Sequence, residues 1–337
     1  MEKSPKYRTC GFSTANEGEE PQWFSLEVQL HTSQFRIRDT DEEGDVPGRL
    51  SLVDCFDWAV SPCVADFEHL SPPPPPLEIG KLTLSYFVPT ASFECDLVAS
   101  DEILAHGKIE PLDLDEDRWP PGSLEELEDR RLQSMPWTTS FPSFTPADIV
   151  VICDDPQHPF DSNPTRVRIG DQYLYFKASP YPDDMAAKKE VETYEKIASA
   201  NLGAGVRTSR LYGVVRNERS QLIGLLLHLI EEHEDSPLTF AVGPETPGAS
   251  MDRWAKQIHD TLTALHRASI IWGDAKPDNI LIDVHGDAWL IDFGGGRTEG
   301  WVDSDKAGTA NGDVQGLVRI LQFIASGGDG CSSRLLE

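Results

Sequence analysis

The sequence is short of positive charge for its length. Its 337 residues include 29 Lys and Arg against 57 Asp and Glu, which gives a formal net charge of −28. A surface this acidic repels nucleic-acid phosphates, so we do not expect DNA or RNA as a partner. An anionic ligand would need a local pocket of basic side chains, because the field of the whole chain opposes it.

Metal-binding cysteine patterns and long apolar runs are missing as well. The six cysteines form no Cys-x-x-Cys pair and no Cys/His cluster at zinc spacing, and their scatter is typical of a reducing compartment. The longest apolar run, from Leu222 to Ile230, is far too short to cross a bilayer, and residues 1–20 lack the apolar core of a signal peptide. We therefore expect an intracellular protein, cytoplasmic or nuclear, with no membrane partner.

The first third of the chain predicts a β-rich domain. Residues 1–20 are polar and predict a disordered tail, whereas residues 21–110 contain repeated stretches with a period of two, typical of half-buried antiparallel strands. These stretches are WFSLEVQL, FRIRD, GRLSLVDCFDW, GKLTLSYFV and FECDLVAS. The run Pro72–Pro76 predicts an exposed extended loop. No catalytic motif occurs here, so the function of this domain stays open.

Residues 111–147 have the composition of an acidic and proline-rich linker. Ser123 and Glu126 have the spacing of a capping box, which predicts a short helix within it. From residue 148 onward, three strand-like stretches, a helix capped by Asp183, two more strands and a second helix follow one another. The second helix carries Ile258, Leu262 and Leu265 on one face.

The stretch from Ile270 to Gly296, IIWGDAKPDNILIDVHGDAWLIDFGGG, places charged residues between apolar runs. Asp274, Lys276 and Asn279 follow the pattern Asp-x-Lys-Pro-x-Asn, and Asp292 opens an Asp-Phe-Gly motif 18 residues after Asp274. The two motifs in this order resemble the catalytic loop and the magnesium loop of the protein-kinase-like superfamily. Buried charges need partners, and a bound metal and nucleotide would supply them.

The resemblance implies an α+β fold of two lobes, a kinase-like N-lobe at residues 148–235 and a truncated C-lobe at 236–337. It implies that Asp274 acts as the catalytic base and that Lys276 contacts the transferred phosphate. Asn279 and Asp292 would supply oxygen ligands to Mg²⁺. ATP and Mg²⁺ are the cofactors that follow from this resemblance.

The nucleotide-anchoring residues lie upstream. Lys177, in LYFKA, takes the place of the lysine that contacts the α- and β-phosphates, and it needs a carboxylate from the next helix. Glu190, Glu192 and Glu195 compete for that role. Glu190 is favoured because it shares a helical face with the packing residues Ala187, Tyr194 and Ile197. The residues that take the place of the adenine-binding hinge are His228, Leu229 and Ile230.

The sequence departs from the superfamily pattern at three points. The segment DDPQHPFDSNPT contains no glycine where a Gly-rich loop would cover the phosphates, and no arginine precedes Asp274 in WGD. The segment after Asp292 is short and has no Ala-Pro-Glu. It leads to Asp313, which by the resemblance takes the place of the aspartate that braces the catalytic loop. This compact pattern is similar to aminoglycoside phosphotransferase-type kinases and, more closely, to compact protein kinase domains frequent in fungi.

The function that follows is a Mg²⁺- and ATP-dependent phosphotransferase acting on a hydroxyl group. Its acceptor, a protein or a small molecule, cannot be read from the sequence. Two alternatives stay open: a pseudokinase or interaction scaffold, for which the missing glycines argue, and a small-molecule kinase.

Overall fold

A computed structural model describes residues 8–16, 21–30, 33–39, 57–71, 81–88, 91–100, 103–112, 137–153, 163–179 and 184–328. The strands are, in chain order, β1 (Arg8–Asn16), β2 (Pro21–Leu30), β3 (Ser33–Asp39), β4 (Ala91–Ser100), β5 (Ile103–His106), β6 (Glu110–Leu112), β7 (Ser143–Phe144), β8 (Val150–Val151), β9 (Arg166–Ile169), β10 (Gln172–Ala178), β11 (Leu211–Arg216), β12 (Leu222–His228), β13 (Ile280–Ile282) and β14 (Ala288–Leu290). The helices are α1 (Val64–Leu70), α2 (Met185–Ser199), α3 (Leu238–Ala241), α4 (Gly248–Arg267) and α5 (Ala310–Ala325).

The chain divides into two compact units, and the division does not follow one cut in the sequence. The first unit comprises Met1–Leu132 and Pro146–Gln172, and the second comprises Gln133–Thr145 and Tyr173–Glu337. Part of the stretch predicted as a linker, residues 111–147, therefore belongs to the second unit. Among the described residues, no helix combines the length and the apolar character needed to cross a bilayer.

The first unit contains a sheet in the order β1-β2-β3-β4-β5, with β6 also paired to β4. The predicted strands WFSLEVQL, FRIRD and FECDLVAS are confirmed as parts of β2, β3 and β4. The expectation of antiparallel pairing fails at one ladder, because β3 and β4 run parallel. Leu26, Val28 and Ile37 are fully buried and pack in one cluster with Phe67 of α1 and Cys95 of β4.

Three further predictions for the first unit need correction. The polar tail predicted at residues 1–20 contains strand β1, whose backbone pairs with β2 from Arg8 to Asn16. The described residues of GKLTLSYFV form a bridge at Thr83 and a 3₁₀ turn at Leu84–Tyr86, because the amides of Tyr86 and Phe87 bond within the turn to the oxygens of Thr83 and Leu84. Asp57 and Trp58, the last two residues of GRLSLVDCFDW, are helical, as are the next two residues. The prolines 72–76 and the helix predicted at Ser123 lie outside the described residues.

The second unit contains a four-stranded arrangement in the order β7-β11-β12-β10. β7 runs parallel to β11, and the other two pairs are antiparallel. Its central strands, β11 and β12, are almost continuously buried, which agrees with their runs of valine and leucine. β10 pairs with β12, so that Lys177 lies opposite Leu225.

Helix α2 follows β10 and begins one residue later than predicted. Asp184, not Asp183, is the N-cap, and its side chain accepts a hydrogen bond of 2.7 Å from the backbone amide of Ala187. Residue 183 itself lies outside the described residues. The face formed by Ala187, Glu190 and Tyr194 is buried, as the helical period predicts.

The larger helices of the second unit complete its core. In α4 the predicted stripe of Ile258, Leu262 and Leu265 is confirmed, since all three are at most 1% exposed. Helix α5 is capped by Thr309, whose hydroxyl accepts a hydrogen bond from the amide of Gly312. Its buried face includes Leu317. The unit thus combines a sheet with packed helices, which is the α+β class that the sequence predicts.

The hairpin of β13 and β14 joins the two halves of the motif stretch. Ile280 pairs with Leu290, and the turn between the strands is closed by the buried Asp283. The Asp283 carboxylate accepts hydrogen bonds from the amides of His285 (2.9 Å) and Asp287 (2.8 Å) and from the Trp289 indole (2.8 Å). A single carboxylate therefore fixes the turn that sets the register of the two strands.

We expect Asp283→Ala to lower the free energy of unfolding by about 2–4 kcal/mol, because three partly buried donors lose their acceptor, and a fully buried donor left unpaired costs about 1–3 kcal/mol. Urea denaturation followed by tryptophan fluorescence would measure it. The matched control is Asp305→Ala, which removes an exposed carboxylate. Equal losses in the two variants would contradict this role for Asp283.

Candidate active site

Lys177, Glu190 and Asp292 form an ion-pair cluster, although they come from β10, α2 and the segment after β14. The Lys177 ammonium donates to Oε2 of Glu190 and to Oδ1 of Asp292, each at 2.8 Å. Glu190 is thus the one of the three competing glutamates that contacts Lys177. Glu192 is exposed, and Glu195 bonds elsewhere.

The electrostatics of this cluster reflect its partial burial. Burial favours the neutral form of Lys177, but the charges of Glu190 and Asp292 outweigh this effect and raise its pKa. Burial also raises the pKa of Glu190, against the opposing attraction of Lys177. The cluster holds one ammonium and two carboxylates, so it carries an excess of negative charge that a bound cation would balance.

A second layer of contacts holds Glu190 in place. The Tyr194 hydroxyl donates to Oε1 of Glu190 at 3.3 Å and lies 2.8 Å from the Ser209 hydroxyl. The Tyr194 ring packs edge-on against Phe293, with ring centroids 5.5 Å apart. One side chain of helix α2 therefore fixes both the carboxylate of Glu190 and the residue that follows Asp292.

The predicted catalytic loop forms a second polar cluster around Asp274, which is 7% exposed. Lys276 Nζ lies 2.9 Å from Oδ2 of Asp274 and donates to the hydroxyl of Thr298 at 2.8 Å. The Thr298 hydroxyl lies 3.2 and 3.3 Å from the two carboxylate oxygens of Asp274. Asp274 and Lys276 are thus brought together, and Thr298 links both of them to the segment after Asp292.

Asn279 occupies the end of the 3₁₀ turn Pro277–Asn279, just before β13. Its side-chain amide donates to the backbone oxygen of Asp274 at 2.9 Å and to Oδ2 of Asp274 at 3.3 Å. Its backbone oxygen accepts from Ile291, the residue before Asp292. Asp278 is exposed and accepts a hydrogen bond of 2.8 Å from the Thr239 hydroxyl, which is not part of this cluster.

The loop backbone is held by Asp313 of helix α5, which is 1% exposed. Its carboxylate accepts hydrogen bonds of 2.8 Å from the amides of Trp272 and Gly273, and it lies 2.8 Å from Nε2 of His266. The sequence prediction that Asp313 braces this loop is confirmed.

Gly273 explains why no arginine precedes Asp274. Its φ is +101°, and a Cβ on it would lie 3.0 Å from the Cα of Gly295. A side chain here would be strained and would push apart the catalytic loop and the segment after Asp292. The departure from the superfamily pattern therefore allows two backbone segments to pack in direct contact.

Asn279 and Asp292 have the chemistry of magnesium ligands. Their oxygens are hard donors, which Mg²⁺ prefers, and sites that hold a metal with substrate phosphates need only one or two carboxylates. Among the described residues, no donor contacts Oδ1 of Asn279 or Oδ2 of Asp292. In the same part of the chain, no group of three or more His, Cys, Asp and Glu side chains could hold a metal. The residues present fit a metal that also binds a polyanion.

Asp292 adopts a backbone conformation that L-residues rarely take, with φ of +59°. This conformation costs of order 1–3 kcal/mol and persists because the surroundings hold it. Lys177 bonds its Oδ1, and the amide of Gly294 donates to the same oxygen at 3.3 Å. The strained residue therefore carries one of the two carboxylates that pair with Lys177.

The predicted hinge residues lie at the end of β12. The amide of His228 donates to the backbone oxygen of Arg210, and its exposed ring packs edge-on against Tyr212 at a centroid distance of 5.5 Å. Leu229 and Ile230 follow the strand and are half-buried. Their role toward adenine stays a prediction.

We expect Asp313→Ala to destabilise this unit by about 3–5 kcal/mol, since two buried backbone amides lose their acceptor. The free energy of unfolding from urea titration is the measurement. Asn311→Ala, an exposed change in the same first turn of α5, is the control and should cost much less. A loss below 1 kcal/mol for Asp313→Ala would show that Asp313 does not brace the loop.

Comparison with known protein families gives one match to part of the chain. The model of the protein kinase domain matches residues 183–306. The matched residues include Glu190, Asp274 and Asp292, whereas Lys177 lies just upstream. No curated protein matches the chain significantly. The match supports a protein-kinase-like assignment for residues 183–306, and the α+β fold of the second unit agrees with it.

Proposed function

We propose that the chain is a phosphotransferase that uses ATP and Mg²⁺ to transfer the γ-phosphate to a hydroxyl group. The observation that carries the proposal is the ion-pair cluster in which Lys177 contacts Glu190 and Asp292 at 2.8 Å. A lysine held in this way can present its ammonium to nucleotide phosphates without further ordering. The protein kinase family in general uses the same cofactors, which supports the assignment.

In this proposal the two clusters have different tasks. Lys177, held by Glu190, binds the α- and β-phosphates, while His228, Leu229 and Ile230 supply backbone groups to the adenine. When bound, Mg²⁺ would neutralise phosphate charge, and Asn279 and Asp292 are the residues that would hold it. Phosphoryl transfer requires positioning and charge compensation more than covalent chemistry, so these tasks account for most of what the site must do.

Asp274 is the proposed base. Its carboxylate is oriented by the amide of Asn279, the ammonium of Lys276 and the hydroxyl of Thr298, all within 3.3 Å. It accepts a hydrogen bond from the acceptor hydroxyl, aligns that oxygen with the phosphate and takes the proton as the new bond forms. The Lys276 ammonium lies beside this carboxylate. It contacts the phosphate and compensates its charge while the phosphate is transferred.

Two variants separate binding from catalysis. Asp292→Ala should abolish Mg²⁺-dependent ATP binding, because it removes a metal ligand and a partner of Lys177. Asp274→Asn should keep ATP binding but slow transfer by about 10²–10⁴-fold, the usual effect of losing a general base. Isothermal titration and transfer of labelled phosphate to a panel of proteins and metabolites measure the two effects.

Asp278→Asn is the matched control, because it makes the same change within the same loop at a residue that contacts Thr239 instead of the cluster. It should bind and transfer like the parent. If Asp274→Asn transferred phosphate as fast as this control, the assignment of the base would have to be abandoned.

A second candidate is a pseudokinase that binds partners and has weak or no catalysis. The glycine-free segment DDPQHPFDSNPT favours it, since glycines there let backbone amides approach phosphates closely. Residues 154–162 of this segment lie outside the described residues. The acceptor, a protein or a small molecule, and the intracellular location also stay proposals.

Thermal-shift titration with ATP distinguishes the two candidates. For the enzyme we expect a rise in melting temperature that requires Mg²⁺, because a ligand that binds only the folded state stabilises it by mass action. Addition of Mg²⁺ alone and of ATP with EDTA are the controls. The absence of any metal-dependent rise at millimolar ATP would support the scaffold instead.

A further inference from the structure

Residues 137–144, which we call the strap, are part of the second unit although they lie in the predicted linker. They precede the matched residues 183–306 and the expected domain start at residue 148. The strap contacts both helix α2, which carries Glu190, and strand β11, which lies between β7 of the strap and β12. Its contacts with each are specific.

The contact with helix α2 is made by Glu195. Its Oε1 atom accepts three hydrogen bonds from the strap: the Thr139 hydroxyl at 2.6 Å, the Ser140 amide at 2.8 Å and the Ser140 hydroxyl at 3.0 Å. The hydrogen bond from Thr139, aided by those from Ser140 and opposed by burial, lowers the pKa of Glu195. Charge-assisted hydrogen bonds of this kind are stronger than those between neutral groups.

The contact with β11 is a strand pairing supported by aromatic side chains. The amide of Val214 donates to the backbone oxygen of Pro142 at 2.9 Å, and β7 continues this parallel pairing. The Phe144 ring stacks on Tyr212 with centroids 5.6 Å apart. The Arg216 guanidinium lies over the Trp137 ring at 5.3 Å and donates to the Trp137 backbone oxygen at 3.2 Å.

Gly213 makes room for the strap on β11. A Cβ at this position would lie 2.6 Å from the Phe144 ring and 2.7 Å from the backbone oxygen of Pro142. Both distances are shorter than side-chain carbons tolerate, and the carbonyl cannot move aside without breaking its bond to Val214. Any side chain at residue 213 would therefore displace the strap.

Glu190 and Glu195 lie on two different sides of helix α2. Five residues turn the helix by about 500°, so the two carboxylates are separated by roughly 140° around its axis. Glu190 contacts Lys177 on one side, and Glu195 contacts the strap on the other. The helix is thus held between the active-site lysine and a segment that is anchored to the sheet.

We propose that the strap holds helix α2 in the position in which Glu190 reaches Lys177, and that Glu195 is a positioning residue acting through Thr139 and Ser140. The position of the helix is a property of the fold. Its consequence for catalysis rests on the proposed function, in which the Lys177–Glu190 pair anchors ATP. Loss of the strap would leave the helix and its glutamate free to move away from Lys177.

The test uses the full chain without nucleotide and measures how fast Lys177 is acylated by an amine reagent, with peptide mass spectrometry as the readout. A lysine whose ammonium is held against two carboxylates is shielded from the reagent and reacts slowly. We expect Glu195→Ala to raise the rate at Lys177 about threefold to tenfold, because an ammonium released from Glu190 is more often accessible to the reagent. Gly213→Val, which displaces the strap from its other side, should raise it similarly.

Hydrogen exchange of the α2 amides gives an independent readout and should become faster in the same variants. Glu192→Ala is the matched control, since it removes the same charge from an exposed position of the same helix. Glu195→Gln keeps an acceptor oxygen and should recover most of the parent behaviour. All variants are compared under conditions in which near-ultraviolet circular dichroism shows that they are folded. The acylation rate of the exposed Lys256 is the internal reference for the rate at Lys177.

The proposal is overturned if Glu195→Ala leaves both Lys177 acylation and α2 exchange at parent values, or if Glu192→Ala changes them equally. Should Gly213→Val fail to fold, Thr139→Val combined with Ser140→Ala removes both hydroxyl donors and takes its place. In a second arm, Glu195→Ala should raise the KM for ATP more than it lowers kcat. A parent that does not bind ATP would overturn the proposed function, while the acylation result would still decide the role of the strap.

Discussion

The position of one ammonium group between two carboxylates organises the second unit. Lys177, Glu190 and Asp292 come from a strand, a helix and a loop, and Lys177 and Asp292 are 115 residues apart in the chain. A partly buried lysine is stable only if its charge is compensated, so each element that supplies a partner must be held at the right distance. Much of the surrounding structure can be understood as meeting that requirement.

Two kinds of contact hold the elements that carry these charged residues. The first is backbone bracing, in which the buried carboxylates of Asp313 and Asp283 accept main-chain amides and fix the catalytic loop and the hairpin turn. The second is close backbone packing, in which Gly273 lies against Gly295 and lets the loop and the segment after Asp292 touch. These supports are internal to the fold, so the polar groups are already arranged, which in the proposed function lowers the cost of binding a nucleotide.

The polar residues of the site are easier to locate from the sequence than the residues that support them. Asp274, Lys276, Asn279 and Asp292 are recognisable because they keep the spacing of two motifs that resemble those of the protein-kinase-like superfamily. Glu190 was also identifiable, since a helical period shows which glutamate shares the packed face. Thr298 was not, because nothing in its local sequence indicates that its hydroxyl will meet Asp274, 24 residues earlier.

Outside the motifs, local patterns were less reliable. GKLTLSYFV alternates like a strand, yet the amides of Tyr86 and Phe87 bond within a turn, which the alternation does not reveal. Polar residues 8–16 form a strand because β2 supplies the hydrogen bonds, which composition does not reveal. Pairing between Thr139 and Glu195 spans 56 residues and was hidden in a stretch with the composition of a linker.

Because β7 covers part of β11, residue 148, the expected start of the kinase-like N-lobe, is a poor place to divide the chain. A fragment that begins at residue 148 would lack β7 and would leave the amide of Val214 without its acceptor, the backbone oxygen of Pro142. Its newly uncovered edge, with the apolar Val214 and Val215 beside the open Tyr212 ring, would be a template for pairing with other molecules. Such a fragment would self-associate, and poor solubility after recombinant expression would then reflect the choice of its first residue and not an instability of the kinase-like fold.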